Sequence, residues 1–222
     1  MRDVVTVDGL AVSGKSALAR ALASELGFCH LNSGLVYRLV AFLTLEQGWD
    51  PTCEGDVLRA LEGRQIVFGR DSQGQSQIEV DGEIRGKELH EPRISEASSL
   101  VARHQSVRNA VLALQQNAYL PHGIVAEGRD MGTVVFPAAK VKFFIVGALE
   151  VRAQRRFDQL SNSSTGIAIE EVLEGLKQRD ERDSSSQVGT MKQAEGCIVI
   201  DNSTKPFEEV VKEMLAVVAK HH

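Results

Sequence analysis

Apolar runs and helical repeats alternate along most of this chain. Short apolar runs predict five strands, at Val4–Val7, Phe28–Leu31, Ile124–Glu127, Val141–Val146 and Cys197–Ile200. Between and after them, apolar side chains at helical spacing predict helices over 18–26, 35–47 and 207–220. Alternating strands and helices are typical of a parallel sheet that is covered on both faces. We therefore predict an α/β fold.

Residues 63–92 break this alternation. Gln65–Phe68, Gln77–Val80 and Ile84 have the pattern of short antiparallel strands, and Asp81-Gly82 predicts a two-residue hairpin turn. Helical spacing returns over 94–119, where we predict one long or broken helix with inward-facing Val101, Val107, Val111 and Leu114. The predicted organisation is a core of residues 1–62 and 93–222 with a β-insertion at 63–92.

The first strand leads into a glycine-rich segment that matches G-x-x-x-x-G-K-[ST]. A strand before this motif and a helix after it are the context of a phosphate-binding loop. Glycines let the backbone N–H groups turn inward, and the helix N-terminus adds a positive dipole end. We predict that Lys15 reaches the β- and γ-phosphates of a nucleoside triphosphate and that the Ser16 hydroxyl coordinates Mg²⁺. The predicted triphosphate-binding residues of this segment are Gly9, Leu10, Ala11, Val12, Ser13, Gly14, Lys15, Ser16 and Ala17.

Two further groups of charged residues fit a nucleotide site. Glu127–Asp130 follows a predicted strand, and ligands of open α/β sheets bind at the carboxyl ends of strands. We expect Glu127 to hold Mg²⁺ through water and Arg129 to bind phosphate, the alternative being a surface salt bridge. A second group consists of arginines spaced three and four residues apart on a predicted helix. Their like charges repel one another, and a bound triphosphate would offset that repulsion. The arginines are Arg152, Arg155 and Arg156, for which a solvated basic face is the alternative.

Composition indicates a compact enzyme. The 222 residues, 43% of them hydrophobic, allow one core plus an insertion. A formal net charge of −5 argues against a general nucleic-acid-binding surface, so a cationic site requires clustered arginines. The sequence has no apolar run of membrane-spanning length and no signal-peptide pattern, so we expect a cytoplasmic protein without membrane contact. Cys29, Cys53 and Cys197 are widely spaced, which favours reduced structural thiols over a disulfide or metal site.

Several motifs together resemble the bacterial cytidylate kinases over essentially the whole chain. They are Leu31–Arg38, Glu127–Pro137, Arg179–Ser185 and Val199–Asp201, in the order of that family. The resemblance implies a P-loop NTPase fold of the nucleoside monophosphate kinase type: a five-stranded parallel sheet flanked by helices, with a small antiparallel β-insertion and a lid at about 150–166. It implies a monomer that transfers the γ-phosphoryl group of ATP to CMP or dCMP with Mg²⁺. The implied catalytic residues are Lys15, Arg129, Arg152 and Arg156, with Arg155 also on ATP.

The resemblance also assigns an acceptor site. Arg38 and Arg129 would bind the acceptor phosphate, and further residues would bind the ribose and the base. Asp130 would read cytosine, because a carboxylate accepts from the N4 amino group of cytosine and repels the carbonyl of uracil. Ser99 and Arg108 would assist it. The full implied set is Ser33, Tyr37, Arg38, Ser99, Arg108, Gly128, Arg129, Asp130, Arg179 and Asp183, of which Arg179 and Asp183 would meet the ribose.

The chain departs from the family pattern at two places. Leu10 and Val12 replace the usual proline and middle glycine of the phosphate loop. Ser186 stands where an arginine is usual and Val188–Thr190 replaces an alanine-proline neighbourhood, so a phosphate-binding cation is missing unless another compensates. Two rival functions follow: a P-loop kinase for another acceptor such as UMP, or a degenerate nucleotide-binding regulatory module.

Overall fold

The computed structural model of the protein describes residues 3–71, 74–161, 168–185 and 191–221. The strands are β1 (Val4–Gly9), β2 (Cys29–Asn32), β3 (Ile66–Arg70), β4 (Ser76–Val80), β5 (Glu83–Arg85), β6 (Ile124–Gly128), β7 (Val141–Val146) and β8 (Ile198–Asp201). The helices are α1 (Lys15–Leu26), α2 (Gly34–Glu46), α3 (Glu54–Leu61), α4 (Pro92–Val101), α5 (Gln105–Asn117), α6 (Leu149–Ser161), α7 (Ile169–Ser185) and α8 (Phe207–Ala219), with short helical turns at Lys87–His90 and Met131–Val135. All five strands predicted for the main sheet are present.

Five strands form one sheet in the order β2-β6-β1-β7-β8. The pairs β2/β6, β1/β7 and β7/β8 are parallel. Every residue of β6 is buried and so are five of the six in β1, as expected for parallel strands covered on both faces. The predicted α/β fold with a five-stranded parallel sheet and flanking helices is confirmed.

The remaining three strands form a small antiparallel sheet in the order β3-β4-β5. Asp81 (φ +53°) and Gly82 (φ +84°) turn the chain between β4 and β5, which confirms the predicted hairpin. The Asp81 carboxylate accepts from Arg64 Nη1 (2.7 Å) and from the N–H of Gln65 (2.9 Å). Side-chain and backbone contacts therefore both fix this turn.

The Ser76 hydroxyl joins the small sheet to β2. It donates to the carbonyl of His30 (2.5 Å) and accepts from the N–H of Asn32 (3.2 Å). The Tyr119 hydroxyl donates to the carbonyl of Gly69 (2.7 Å) and so holds β3. Ser76 thereby satisfies two backbone groups on the edge strand of the main sheet, directly before Ser33.

The helix predicted over 94–119 is broken, with α4 ending at Val101 and α5 beginning at Gln105. Three of the predicted inward-facing residues, Val101, Val107 and Val111, are buried. Leu114 is only partly buried, and Gln115 beside it is 1% exposed instead. Val107 and Val111 lie on the same helix, and the buried stripe of α5 continues at Gln115, four residues after Val111, which leaves Leu114 at its border. Sequence patterns also missed α3, in which only Val57 and Ala60 are buried.

The chain divides into two compact units. One consists of Met1–Asp3 and Ala23–Glu127 and contains α2–α5, β2 and the small sheet. The other consists of Val4–Leu22 and Gly128–His222 and contains β1, β7, β8 and α6–α8. The boundaries predicted for the core and the β-insertion stay a prediction. None of the helices in the described ranges is long and apolar enough to cross a membrane.

The small sheet offers a matched pair of isoleucines for a stability test. Ile78 in β4 is 0% exposed and Ile84 in β5 is 60% exposed. We expect Ile78→Ala to lower the free energy of unfolding by about 2–5 kcal/mol, because it leaves a cavity, and Ile84→Ala to change it by less than about 0.5 kcal/mol. Urea denaturation measures both, and equal effects would show that the inner face of this sheet is not packed.

Candidate active site

The loop between β1 and α1 has the backbone of a phosphate-binding loop. Gly9 has a φ of +152°, and a Cβ there would overlap the backbone carbonyl of Ile145 in β7. Gly14 has a φ of +83°, in the region that side chains rarely adopt. Lys15 then starts α1. The two glycines of the motif are therefore required by close approach and by backbone conformation.

Val12 has a φ of +56°, which is rare for a β-branched residue and costs roughly 1–3 kcal/mol. Its side chain is partly buried and packs on an apolar cluster formed by the loop and by α6 and α7. The buried members of that cluster are Ala11, Ala153, Val172 and Leu176. The loop thus keeps a left-handed conformation where the family pattern has glycine, and apolar contacts offset the strain.

Four carbonyls of the loop accept hydrogen bonds from side chains. The pairs are Arg129 Nη1 to Gly9 O (2.7 Å), Lys15 Nζ to Leu10 O (3.1 Å), Arg152 Nη1 to Ala11 O (3.2 Å) and Asn202 Nδ2 to Ser13 O (2.5 Å). In a trans peptide the C=O and the following N–H point in opposite directions. Holding these carbonyls therefore directs the N–H groups of Ala11, Val12 and Gly14 away from the donors.

Two carboxylates of α7 balance the arginines on this loop. Asp183 Oδ2 lies 2.9 Å from Arg129 Nε, and Asp180 Oδ2 lies 2.7 Å from Arg152 Nη1. Arg152 is 3% exposed and also donates from Nε to the carbonyl of Gly147 (2.9 Å). A buried guanidinium requires such partners, because an uncompensated buried charge is strongly destabilising. Asp180 was not among the predicted site residues.

Asn202, directly after β8, connects the loop to α6. Its Oδ1 accepts from Arg155 Nη1 (3.2 Å), and its carbonyl accepts from Arg155 Nη2 (2.8 Å). A Cβ on Gly14 would lie 3.0 Å from Asn202 Nδ2, and one on Gly147 would lie 3.1 Å from Asn202 Oδ1. Sequence analysis missed Asn202, although a polar residue at the carboxyl end of a parallel strand was the available signal.

Arg156, the third arginine of the predicted group, lies farther along α6. Its Nη1 donates to Gln159 Oε1 of the same helix at 3.4 Å. Arg152 contacts the loop, and Arg155 contacts Asn202, which in turn donates to the loop. The predicted lid extends beyond α6 to about residue 166, and its residues 162–166 lie outside the described ranges, as do Ser186 and Val188–Thr190.

Asp8, one residue before the loop, is a buried carboxylate that sequence analysis also missed. It accepts from the N–H groups of Met131 (2.9 Å) and Gly132 (2.8 Å). Burial raises the pKa of Asp8 to about 6, against the two backbone donors, which lower it. The Asp130 carboxylate raises this pKa further, and the Lys15 ammonium lowers it. Asp130 itself is buried and precedes the short helical turn Met131–Val135.

The other unit holds five of the predicted acceptor residues, Ser33, Tyr37, Arg38, Ser99 and Arg108, whereas Gly128 and Arg179 belong to the unit of the loop. Arg38 Nη1 donates to the carbonyl of Leu89 (2.9 Å) and to Ser95 Oγ (2.7 Å). The Arg108 guanidinium lies 5.5 Å from the ring centroid of Tyr37, within the range of a cation–π contact. Packing within this unit therefore brings Arg108 and Tyr37 together and fixes the direction of Arg38.

Ser33 lies in the turn between β2 and α2. It is buried, and its N–H donates to the carbonyl of Glu127 (3.1 Å). Asn32 Oδ1 accepts from the N–H of Gly34 (3.0 Å), which fixes the turn before the helix. On α4, the Ser99 hydroxyl donates to the carbonyl of Glu96 (2.7 Å). The turn places Ser33 beside the carboxyl end of β6, which ends at Gly128.

The two predicted metal-binding residues carry oxygen ligands. Glu127 is buried at the end of β6, with Oε1 3.4 Å from Nε2 of the buried His30, and Ser16 is exposed in the first turn of α1. No group of three or more His, Cys, Asp or Glu side chains in the described ranges could hold a metal ion. A hydroxyl and a carboxylate are each oxygen groups of the kind that Mg²⁺ accepts besides phosphate and water. The three cysteines are free thiols, as predicted.

Comparison with known proteins places this geometry in a family. A family model described as Cytidylate kinase matches residues 5–220. The chain is 38% identical over 213 residues to a cytidylate kinase of Mannheimia succiniciproducens, covering 96% of this chain and 94% of the relative. It is 36% identical over 217 residues to cytidylate kinase 1 of Haemophilus influenzae, covering 98% and 94%. A solved gluconokinase from Sinorhizobium meliloti 1021 aligns with a TM-score of 0.48 and 13% identity, covering 99% of this chain and 92% of that one.

Proposed function

The chain belongs to the cytidylate kinase family, and from this premise we propose that it transfers the γ-phosphoryl group of ATP to CMP or dCMP, releasing ADP and CDP or dCDP. The contact that best supports the proposal joins Arg129 Nη1 to the carbonyl of Gly9 (2.7 Å). It connects a predicted acceptor-binding arginine to the loop that would hold the donor phosphates. A phosphotransferase must hold the donor and acceptor phosphates close together, and a side chain that contacts the loop and binds the acceptor would help to do so.

The loop would bind the phosphates of ATP through its backbone. The N–H groups of Ala11, Val12 and Gly14 face away from the side chains that hold the preceding carbonyls. The first turn of α1 adds unsatisfied N–H groups and the positive end of the helix dipole. These donors are in place before ATP arrives, so little reorganisation is needed on binding.

Cationic side chains would then neutralise charge as the phosphoryl group moves. Lys15 Nζ bonds a neutral carbonyl at 3.1 Å, and a phosphate oxygen would be the stronger acceptor. Arg129 already has a carboxylate partner, Asp183, so a phosphate would share or displace it. Positioning and charge neutralisation supply most of the catalysis in phosphoryl transfer. Arg152, Arg155 and Arg156 on α6 are proposed to act with Lys15 on ATP.

Mg²⁺ would be held by the Ser16 hydroxyl and, through water, by the Glu127 carboxylate. With ATP bound, Mg²⁺ at these residues would offset the charge of the phosphate groups. The proposed roles of Ser33, Arg38, Ser99, Arg108, Gly128, Arg179 and Asp183 at the acceptor stay those implied by the family pattern. A monomer in the cytoplasm stays the expectation for the protein as a whole.

Water would be kept from the reaction by the segment that carries α6 and α7. Their apolar side chains pack on Ala11 and Val12 of the loop. Arg152 adds a polar contact to the same loop through Ala11 O. Close packing on the phosphate loop limits the entry of water, which would otherwise compete with CMP as the acceptor.

The proposed activity predicts a pattern of acceptor use. With ATP and Mg²⁺, we expect coupled ADP release to be fast with CMP and dCMP and slow with UMP, AMP and dTMP, because Asp130 accepts from the N4 amino group of cytosine. Lys15→Ala should abolish it. Fastest turnover with UMP would favour a kinase for another acceptor. ATP binding without turnover on any monophosphate would favour the regulatory module.

The base-reading role of Asp130 has its own test. We expect Asp130→Ala to lower the ratio of kcat/KM for CMP to that for UMP by about ten- to a hundredfold, the value of one charge-assisted hydrogen bond. Steady-state kinetics on both acceptors measure the ratio. Asp50→Ala, which removes an exposed carboxylate, is the matched control and should leave it unchanged. An unchanged ratio in Asp130→Ala would show that another group reads the base.

A further inference from the structure

The mechanism above gives no role to Asp8, although its position is unusual. It is 3% exposed and lies one residue before the phosphate loop. Burying an ionised carboxylate costs free energy that hydrogen bonds must offset. A buried carboxylate at this position is therefore expected to have a function that offsets the free-energy cost of its burial.

Contacts with the end of β1 hold residues 129–132 both before and after Asp130. Before Asp130, the guanidinium of Arg129 donates to the carbonyl of Gly9 (2.7 Å). After it, the N–H groups of Met131 and Gly132 donate to Oδ1 and Oδ2 of Asp8 (2.9 and 2.8 Å). Each carboxylate oxygen therefore serves one of two successive N–H groups, which a neutral side chain with one acceptor oxygen cannot do.

The turn after Asp130 is closely packed at Gly132, where there is little space for a side chain. A Cβ on Gly132 would lie 2.9 Å from Thr6 Oγ1 and 3.3 Å from Lys142 Cδ. The N–H of Val134 donates to the carbonyl of Asp130 (2.8 Å), which continues the turn from the same residue. The backbone that leads out of Asp130 is thus packed against β1 and β7 and tied to the Asp8 carboxylate.

We propose that Asp8 is a positioning residue for the acceptor: its ionised carboxylate fixes the N–H groups of Met131 and Gly132 and thereby orients Asp130 and Arg129 toward CMP. This inference rests on the proposed function, in which those two residues bind the acceptor. The proposal gives Asp8 a role in binding CMP and none in binding ATP. Loss of the carboxylate should weaken CMP binding far more than ATP binding.

The ionisation of Asp8 makes this role depend on pH. Burial brings its pKa to about 6, and the charged groups that act on it are Asp130, which raises the pKa, and Lys15, which lowers it. Burial raises the pKa of the Cys197 thiol, and the charge of the Asp8 carboxylate raises it further. Below pH 6 the carboxyl takes up a proton, and its protonated, uncharged oxygen accepts from an N–H group more weakly than a carboxylate oxygen does. The orientation of Asp130 should therefore weaken as the pH falls from 8 to 5.

The test compares Asp8→Asn with the wild-type protein. Because the phosphate of CMP titrates near pH 6 itself, the quantity measured is the ratio of KM for CMP in the variant to that in the wild type at each pH. We expect a ratio of about ten at pH 8, the value of one hydrogen bond to a charged group, falling toward one at pH 5. The ratio for ATP should stay within about twofold throughout.

Two further variants control for folding and charge. Asp50→Asn removes another carboxylate that accepts a backbone N–H, at an exposed site, and should leave both KM values unchanged. Gly132→Ala displaces the N–H that donates to Asp8 Oδ2 and keeps the Asp8 charge, so it should raise KM for CMP and leave KM for ATP within about twofold. This second variant keeps the test decisive if Asp8→Asn folds poorly.

Thermal unfolding without substrate checks the ionisation separately. The folded-state pKa of Asp8, about 6, exceeds the usual aspartate value of 3.8, so the folded protein binds the proton more tightly than the unfolded chain. Acidification from pH 7 to 5 should therefore raise the Tm of the wild type relative to Asp8→Asn.

The outcomes separate the two claims. In Asp8→Asn, a ratio for CMP that is flat with pH or equal losses for CMP and ATP would overturn the role of Asp8 while leaving the proposed function intact. An unchanged KM for CMP in Gly132→Ala would overturn it as well. A wild-type protein without CMP-dependent ADP release would overturn the proposed function and, with it, the acceptor role of Asp8.

Discussion

A phosphate loop binds an anion only if its N–H groups face the ligand, and in this protein side chains from other segments hold that orientation. Arg152 and Asn202 come from different places in the chain, and they donate to the carbonyls of Ala11 and Ser13, which precede the N–H groups of Val12 and Gly14. Peptide geometry then directs the N–H groups to the opposite side. The anion site therefore depends on tertiary contacts as well as on the loop, whose glycines allow the required backbone conformation.

The same contacts explain how an acidic protein carries a strongly cationic centre. The arginines on the loop are balanced by Asp180 and Asp183, three residues apart on α7. Apolar packing of α6 and α7 against Ala11 and Val12 brings those carboxylates to the loop. Charge balance, strain at Val12 and the packing of two helices are thus coupled through one short segment. A change in any of them is expected to alter ATP binding.

The sequence predicted the sheet and the motif-bearing segments because apolar strands and a glycine-rich loop are local patterns. The hairpin at Asp81 and the strand at Val141–Val146 are such cases. Residues that act through tertiary contacts were missed, as Asp8 and Asn202 show, because nothing in their neighbouring residues reveals a partner more than a hundred positions away. Val12 was noted as a departure, but its packing on α6 and α7 depends on a fold that no local pattern contains.

Calorimetric titration of ATP into Asn202→Ala, without acceptor, tests this account most directly. The substitution removes the hydrogen bond from Asn202 Nδ2 to the carbonyl of Ser13 and leaves the net charge of the site unchanged. Leaving that carbonyl unsatisfied should raise the Kd for ATP about tenfold, while Asn117→Ala at the exposed end of α5 should not change it. An unchanged Kd in Asn202→Ala would contradict the claim that side chains outside the loop set the direction of its N–H groups.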